Sequence, residues 1–150
     1  MVHHRAGSRR RGVSSGLVYL GGSIPDGDTS STFPPTGNSP VGTIVSRGQF
    51  IADGAEIASG APHSVASTQI FLFDEGDGLI TEGLEGSGTE MRAVVGGYGK
   101  YSGATGQVTQ EVMGYNGSGG VNLRFTFNIK VSNPQSSSEV MRKKAPSRRR

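Results

Sequence analysis

From Val121 to Val131 apolar and polar residues alternate without a break. Val121, Leu123, Phe125, Phe127, Ile129 and Val131 fall on one side, and Asn122, Arg124, Thr126, Asn128 and Lys130 on the other. A period of two is that of a β-strand with one buried and one wet face. In a closed barrel the buried face is the lumen, unless another subunit covers the outside. Val65 to Asp74 reads as a strand too, with a different pattern. Gln69, Phe71 and Phe73 share one face, while Ile70 and Leu72 share the other. Apolar residues on both faces predict that the outer side is also covered, by an oligomer partner or a flanking segment.

Further strands are predicted at Leu17 to Leu20, Thr43 to Ala52, Ala55 to Ala58, Leu79 to Leu84, Met91 to Val95 and Thr105 to Tyr115. Turn signals separate them: Asp53-Gly54, Glu75-Gly76-Asp77-Gly78 and Asn116-Gly117-Ser118-Gly119-Gly120. No segment sustains a helical period. Roughly eight short strands between such turns predict an all-β antiparallel barrel or sandwich. The expected barrel domain spans 16–132, between a disordered basic tail at 1–15 and a Ser-rich, then basic, disordered tail at 133–150.

Composition sharpens this outline. The chain has 150 residues, enough for one domain with its own core, and it has no cysteine, which removes disulfides and thiolate metal sites. Charge is unevenly placed. Residues 1–15 carry four arginines and no acid, and residues 139–150 carry six basic residues against Glu139. The body, 16–138, holds five basic and eleven acidic residues. An acidic body argues against nucleic acid, whose backbone needs clustered Lys and Arg. No apolar run approaches the roughly 18–20 residues of a membrane-spanning helix, so no membrane partner is expected. The expected location is the cytoplasm, with secretion as the alternative.

Between Ala93 and Val108 the chain reads A-V-V-G-G-Y-G-K-Y-S-G-A-T-G-Q-V, with glycines at 96, 97, 99, 103 and 106. Glycine reaches positive φ without steric cost, so the cluster predicts a sharp corner between two strands. This block follows F-L-F-D-E-G-D-G-L-I-T-E-G (71–83) and precedes L-R-F-T-F-N-I (123–129). In that order and spacing the three pieces resemble the allene oxide cyclase barrel, which is similar to the dirigent proteins. The resemblance covers about residues 41–131. It implies an eight-stranded antiparallel β-barrel without metal or organic cofactor, in a dimer or trimer. It also implies control of a reactive hydrophobic small molecule by confinement. The sequence departs from the plant cyclases at Val18-Tyr19-Leu20-Gly21-Gly22, where those enzymes place acid and amide groups, and at Tyr98, where a small residue is usual.

Candidate residues follow from the faces. If the Phe125 face is the lumen, its lining takes in Leu123, Phe125 and Phe127 together with either the Gln69/Phe71/Phe73 set or the Ile70/Leu72 set; the substrate-binding set is Phe71, Phe73, Leu123, Phe125 and Phe127, which otherwise fill a solid core. Glu82 lies between Ile80 and Leu84, where a carboxylate is able to act as an acid, or to sit solvated on the outside. Gln69 and Gln110 are neutral groups in strand centres, suited to a substrate carbonyl or to a subunit contact. Tyr98, Tyr101 and Tyr115 are candidate phenol donors, with packing at the corner the simpler role for Tyr101. The catalytic set is thus Glu82, Gln69, Gln110 and Tyr115. His3, His4 and His63 offer no metal-ligand spacing on an ordered element, so no metal is expected.

The leading expectation is a cofactor-independent cyclase or isomerase of a hydrophobic small molecule. The alternative is a non-catalytic, dirigent-like module that binds or orients such a ligand.

Overall fold

The computed structural model of the chain describes residues 11–27, 37–51, 55, 58–59 and 64–132. Among these residues the alternating segments become seven strands. They are β1 (Arg11–Val18), β2 (Gly42–Ile51), β3 (Ser64–Phe73), β4 (Gly78–Glu85), β5 (Thr89–Tyr98), β6 (Thr105–Tyr115) and β7 (Val121–Lys130). Each pairs antiparallel with its sequence neighbours, so one sheet runs in chain order from β1 to β7. The sheet curls strongly. The Phe71 ring on β3 meets Phe125 and Phe127 on β7 edge-on, with centroids 5.0 and 5.1 Å apart. The result is a curled half-barrel.

Several expectations change here. Seven strands stand where roughly eight were expected, and among the described residues β1 and β7 are the sheet edges and are not paired to each other. The predicted strand at Ala55 to Ala58 is instead a helical turn at its described residues, closed by Ser59 N–H donating to the Ala55 carbonyl at 2.9 Å. Residues 11–15, expected in the disordered tail, are part of β1, and that strand ends at Val18 rather than Leu20. Pairing explains the first of these shifts: Arg11 faces Gln49 and Val18 faces Gly42, an unbroken register that gives a polar, Gly- and Ser-rich segment its ladder. The remainder of the expected tails, 1–10 and 133–150, and His63 lie outside the described residues.

The bends have local causes. A register shift between β4 and β5 leaves one extra residue on β5, and a second lies on β6 between Val112 and Gly114. Such bulges increase twist and bend a sheet. The glycine block forms the corner it predicted: β5 ends at Tyr98, a 3₁₀ turn covers Gly99–Tyr101, and β6 starts at Thr105. Gly99 has φ +64°, and a Cβ there would collide with the Asp77 carboxylate. That carboxylate accepts the Lys100 backbone N–H at 2.8 Å and pairs with its ammonium at 2.7 Å. The same contact draws the Asp77 carboxyl below its ordinary range and raises the Lys100 ammonium above its own. Asp77 itself is buried, so it locks the β3–β4 turn to the corner.

The concave face divides into two regions. At one end Phe71, Leu79, Val94, Ala104 and Val108 are buried, with Val18, Ile44, Phe73, Tyr101, Phe125, Phe127 and Ile129 packed against them. Tyr101 packs against Phe73 with ring centroids 5.5 Å apart and the planes tilted by 55°, the packing role expected of it at the corner. At the other end the concave face is polar and carries Gln69, Thr81, Arg92 and Gln110, all at most 2 % exposed.

Candidate functional site: a cavity at the open seam

β1 and β7 approach across the opening of the half-barrel and share the walls of one cavity of about 340 Å³. Small-molecule sites usually fall in the range of roughly 300–1,000 Å³. The alternation of β7 sends Leu123, Phe125 and Phe127 into it, and that of β3 sends Phe71 and Phe73. Ile44 and Val18 complete the apolar wall on the β1–β2 side. All five residues predicted to bind substrate therefore meet at this one place.

The segment after β1 crosses the seam. Tyr19, Leu20, Gly21, Gly22 and Ile24 line the cavity. Beyond them Asp26 pairs with Arg124 of β7, and the Gly27 N–H donates to the Met113 carbonyl at 3.0 Å. Met113 is the residue left over at the β6 bulge, so the bulge both bends the sheet and anchors this strap. The Asn116–Gly120 turn closes the opposite side. Asn116 accepts the Ser118 N–H and hydroxyl and donates to Asn122 at 3.2 Å.

The residues predicted as catalytic lie elsewhere. Glu82 is exposed on the convex face, where the Thr68 hydroxyl donates to it at 3.4 Å. Tyr115 is 59 % exposed at the end of β6. Gln69 and Gln110 are buried and in contact, Nε2 of the first donating to Oε1 of the second at 2.8 Å. Neither glutamine is among the cavity-lining residues. They belong to the polar end of the concave face, where the Thr81 hydroxyl donates to Gln69 Oε1 at 3.2 Å. Glu85 accepts from Ser46 at 2.7 Å, from Ser67, and from Gln69 at 3.2 Å.

Arg92 holds this network to the backbone. It donates to the Leu84 and Ser67 carbonyls at 2.9 and 3.0 Å, and its Nε faces the Thr81 hydroxyl at 3.4 Å. Burial pulls the guanidinium below its ordinary range, opposed by the field of Glu85, Glu82 and Glu90. A guanidinium stays protonated even so. Sequence reasoning missed Arg92, a single charge inside the strand read from Met91 to Val95, because nothing local states that its face turns inward. It also missed Tyr19, the one tyrosine at the end of β1, whose hydroxyl is buried and has no hydrogen-bond partner.

The convex face carries a cross-strand row of Val45, Ile70 and Ile80. In the neighbouring row Arg47 and Glu82 flank Thr68. Among the described residues no helix is long and apolar enough to cross a membrane, and no three His, Asp or Glu side chains come together to hold a metal. No protein-family model matches this chain, and no curated protein matches it.

Proposed function

We propose that this protein binds a hydrophobic small molecule in the seam cavity and fixes its conformation, acting as a cofactor-independent cyclase or isomerase. The observation that supports this reading is the convergence of Phe71, Phe73, Leu123, Phe125 and Phe127 on one cavity. Confinement chemistry needs a pocket that excludes water and holds one conformer near the reacting geometry. It asks for few titratable groups. The resemblance of residues 41–131 to the allene oxide cyclase and dirigent barrels points the same way. A second reading is a ligand-orienting module without turnover. It is favoured by one observation: Glu82, Gln69, Gln110 and Tyr115 are all absent from the cavity lining.

Binding and turnover separate cleanly. The apolar dye N-phenyl-1-naphthylamine should brighten saturably with the protein and lose this response in the cavity-filling variant Leu123→Trp. An unsaturable signal, or one indifferent to Leu123→Trp, removes the proposal in both forms. Conversion of a polyunsaturated or oxidised candidate by the isolated protein selects the enzyme; binding without conversion selects the module.

We further propose a homo-oligomer built on the convex face. Val45, Ile70 and Ile80 form an apolar row beside a row with Arg47 at one end and Glu82 at the other. A two-fold axis over such a patch brings opposite charges together, since an isologous interface repeats every contact. Sedimentation velocity should show a dimer that Ile70→Glu converts to monomer. A wild-type protein that stays monomeric at all concentrations would contradict this.

A further inference from the structure

The outward face of β3 carries no charge, but its two neighbouring strands do. Midway along it Arg47 of β2, Thr68 of β3 and Glu82 of β4 stand side by side in one cross-strand row. Arg47 and Glu82 are both exposed. The Thr68 hydroxyl donates to Glu82 at 3.4 Å. Among the described residues the ion pairs are Lys100–Asp77 and Arg124–Asp26, so the Arg47 charge is unmatched within its own chain. Neighbouring strands lie about 4.8 Å apart, which puts the cation and the anion at equal distances on either side of Thr68.

Along β3 the outward residues are Ala66, Thr68, Ile70 and Leu72. The row of Ile70 is apolar throughout, with Val45 on one side and Ile80 on the other. An uncharged spine thus runs between a cationic flank and an anionic flank.

Two copies that pack through this face have two simple choices of two-fold axis, both lying between the sheets. An axis across the strands sets Arg47 over Arg47 of the second copy and Glu82 over its Glu82. Both contacts are repulsive. An axis along β3 exchanges the flanks instead. Arg47 then faces Glu82 of the second copy, and Glu82 faces its Arg47. Ile70 meets Ile70, and Val45 meets Ile80. An isologous interface makes each contact between unlike residues twice, so the second axis gains two ion pairs where the first suffers two repulsions.

We infer that the protein dimerises about a two-fold axis running along β3 over Thr68, with Arg47 of each copy paired to Glu82 of the other. This rests on the proposal that the convex face is the oligomer interface, and it adds the axis, the register and the residues that choose the partner. The two β3 strands then run in nearly the same direction, as in the aligned packing of two sheets. The concave faces, and both seam cavities with them, point away from the interface.

Arg47→Glu, Glu82→Arg and the double exchange test this by sedimentation velocity against the wild type. Each single variant replaces both ion pairs by like-charge contacts, so its dimer dissociation constant should rise roughly tenfold or more. The double exchange should restore the wild-type value. An equimolar mixture of the two single variants should form a heterodimer, because one carries two anions and the other two cations at the paired positions. That recovery also shows that both variants are folded. Single variants that dimerise as tightly as the wild type overturn the pairing and leave the convex-face oligomer standing. A double exchange that stays weakened, or a mixture that associates no better than its components, overturns it as well. A wild-type trimer, which has no two-fold axis, does the same. If the wild-type protein is monomeric at every concentration, the oligomer proposal and this inference fall together.

Discussion

Arg92→Leu should destabilise the fold by roughly 3–5 kcal/mol, read as a shift of the urea midpoint at unchanged slope. Arg92 is 1 % exposed, and its guanidinium donates to two backbone carbonyls on different strands, those of Ser67 and Leu84. Leucine fills part of the volume and offers no donor to either carbonyl. The loss extends to Thr81 and through it to Gln69, because each member of this chain orients the next. The acidic groups Glu82, Glu85 and Glu90 also lose the cation whose field they feel. Arg92→Lys should recover only part of the loss. A single ammonium keeps the charge and has no fork to span carbonyls on two strands. A midpoint shift worth less than about 1 kcal/mol for Arg92→Leu would mean that these hydrogen bonds do not hold the concave face together.

Phe71→Ala should cost a similar amount, roughly 3–5 kcal/mol, by a different route. Phe71 is 1 % exposed and its ring stands edge-on to both Phe125 and Phe127. These contacts are what join β3 to β7 across the curl. Removing the ring opens a hole in the core and takes away one wall of the seam cavity. Dye binding should therefore weaken along with stability. Phe71→Leu separates the two effects, since it keeps most of the volume and the fold. The neighbouring change Leu72→Ala is the control: Leu72 lies on the convex face at 39 % exposure and should cost about 1 kcal/mol or less. Equal losses for Phe71→Ala and Leu72→Ala would show that the concave face is not the core.

Much of the sheet was legible because its strands carry their own signal. Val121 to Val131 alternates strictly, and β7 occupies nearly the same residues. Thr105 to Tyr115 was read with the bounds that β6 has. The two faces of β3 were separated correctly, and the structure decided that the face of Gln69 and Phe71 turns inward and that of Leu72 outward. Glycine spacing located the corner after Tyr98, because positive φ at Gly99 and Gly103 is a local demand that few other residues meet.

β5 went the other way. Its apolar residues Met91 and Val95 are 65 % and 50 % exposed, while Arg92 between them is buried. Alternation states that these residues lie on opposite faces, but not which face turns inward. The partners that make burial of Arg92 tolerable come from β3 and β4, far from it in sequence. Most of β1, all of it before Leu17, was missed for a related reason. Its inward positions, Gly12, Ser14, Gly16 and Val18, carry little hydrophobic signal, and β2 supplies the ladder that makes them a strand.

The seam has the same origin. The sequence determined that strands would form, which residues would share a face, and that Phe71, Phe73, Leu123, Phe125 and Phe127 would be greasy. Only the tertiary structure decided that the sheet stops short of closure, that its first and last strands frame a cavity, and that the Tyr19 hydroxyl is buried without a partner. Period and turn chemistry are properties of neighbouring residues. Edge position, curl and hydrogen-bond satisfaction depend on residues brought together from distant parts of the chain.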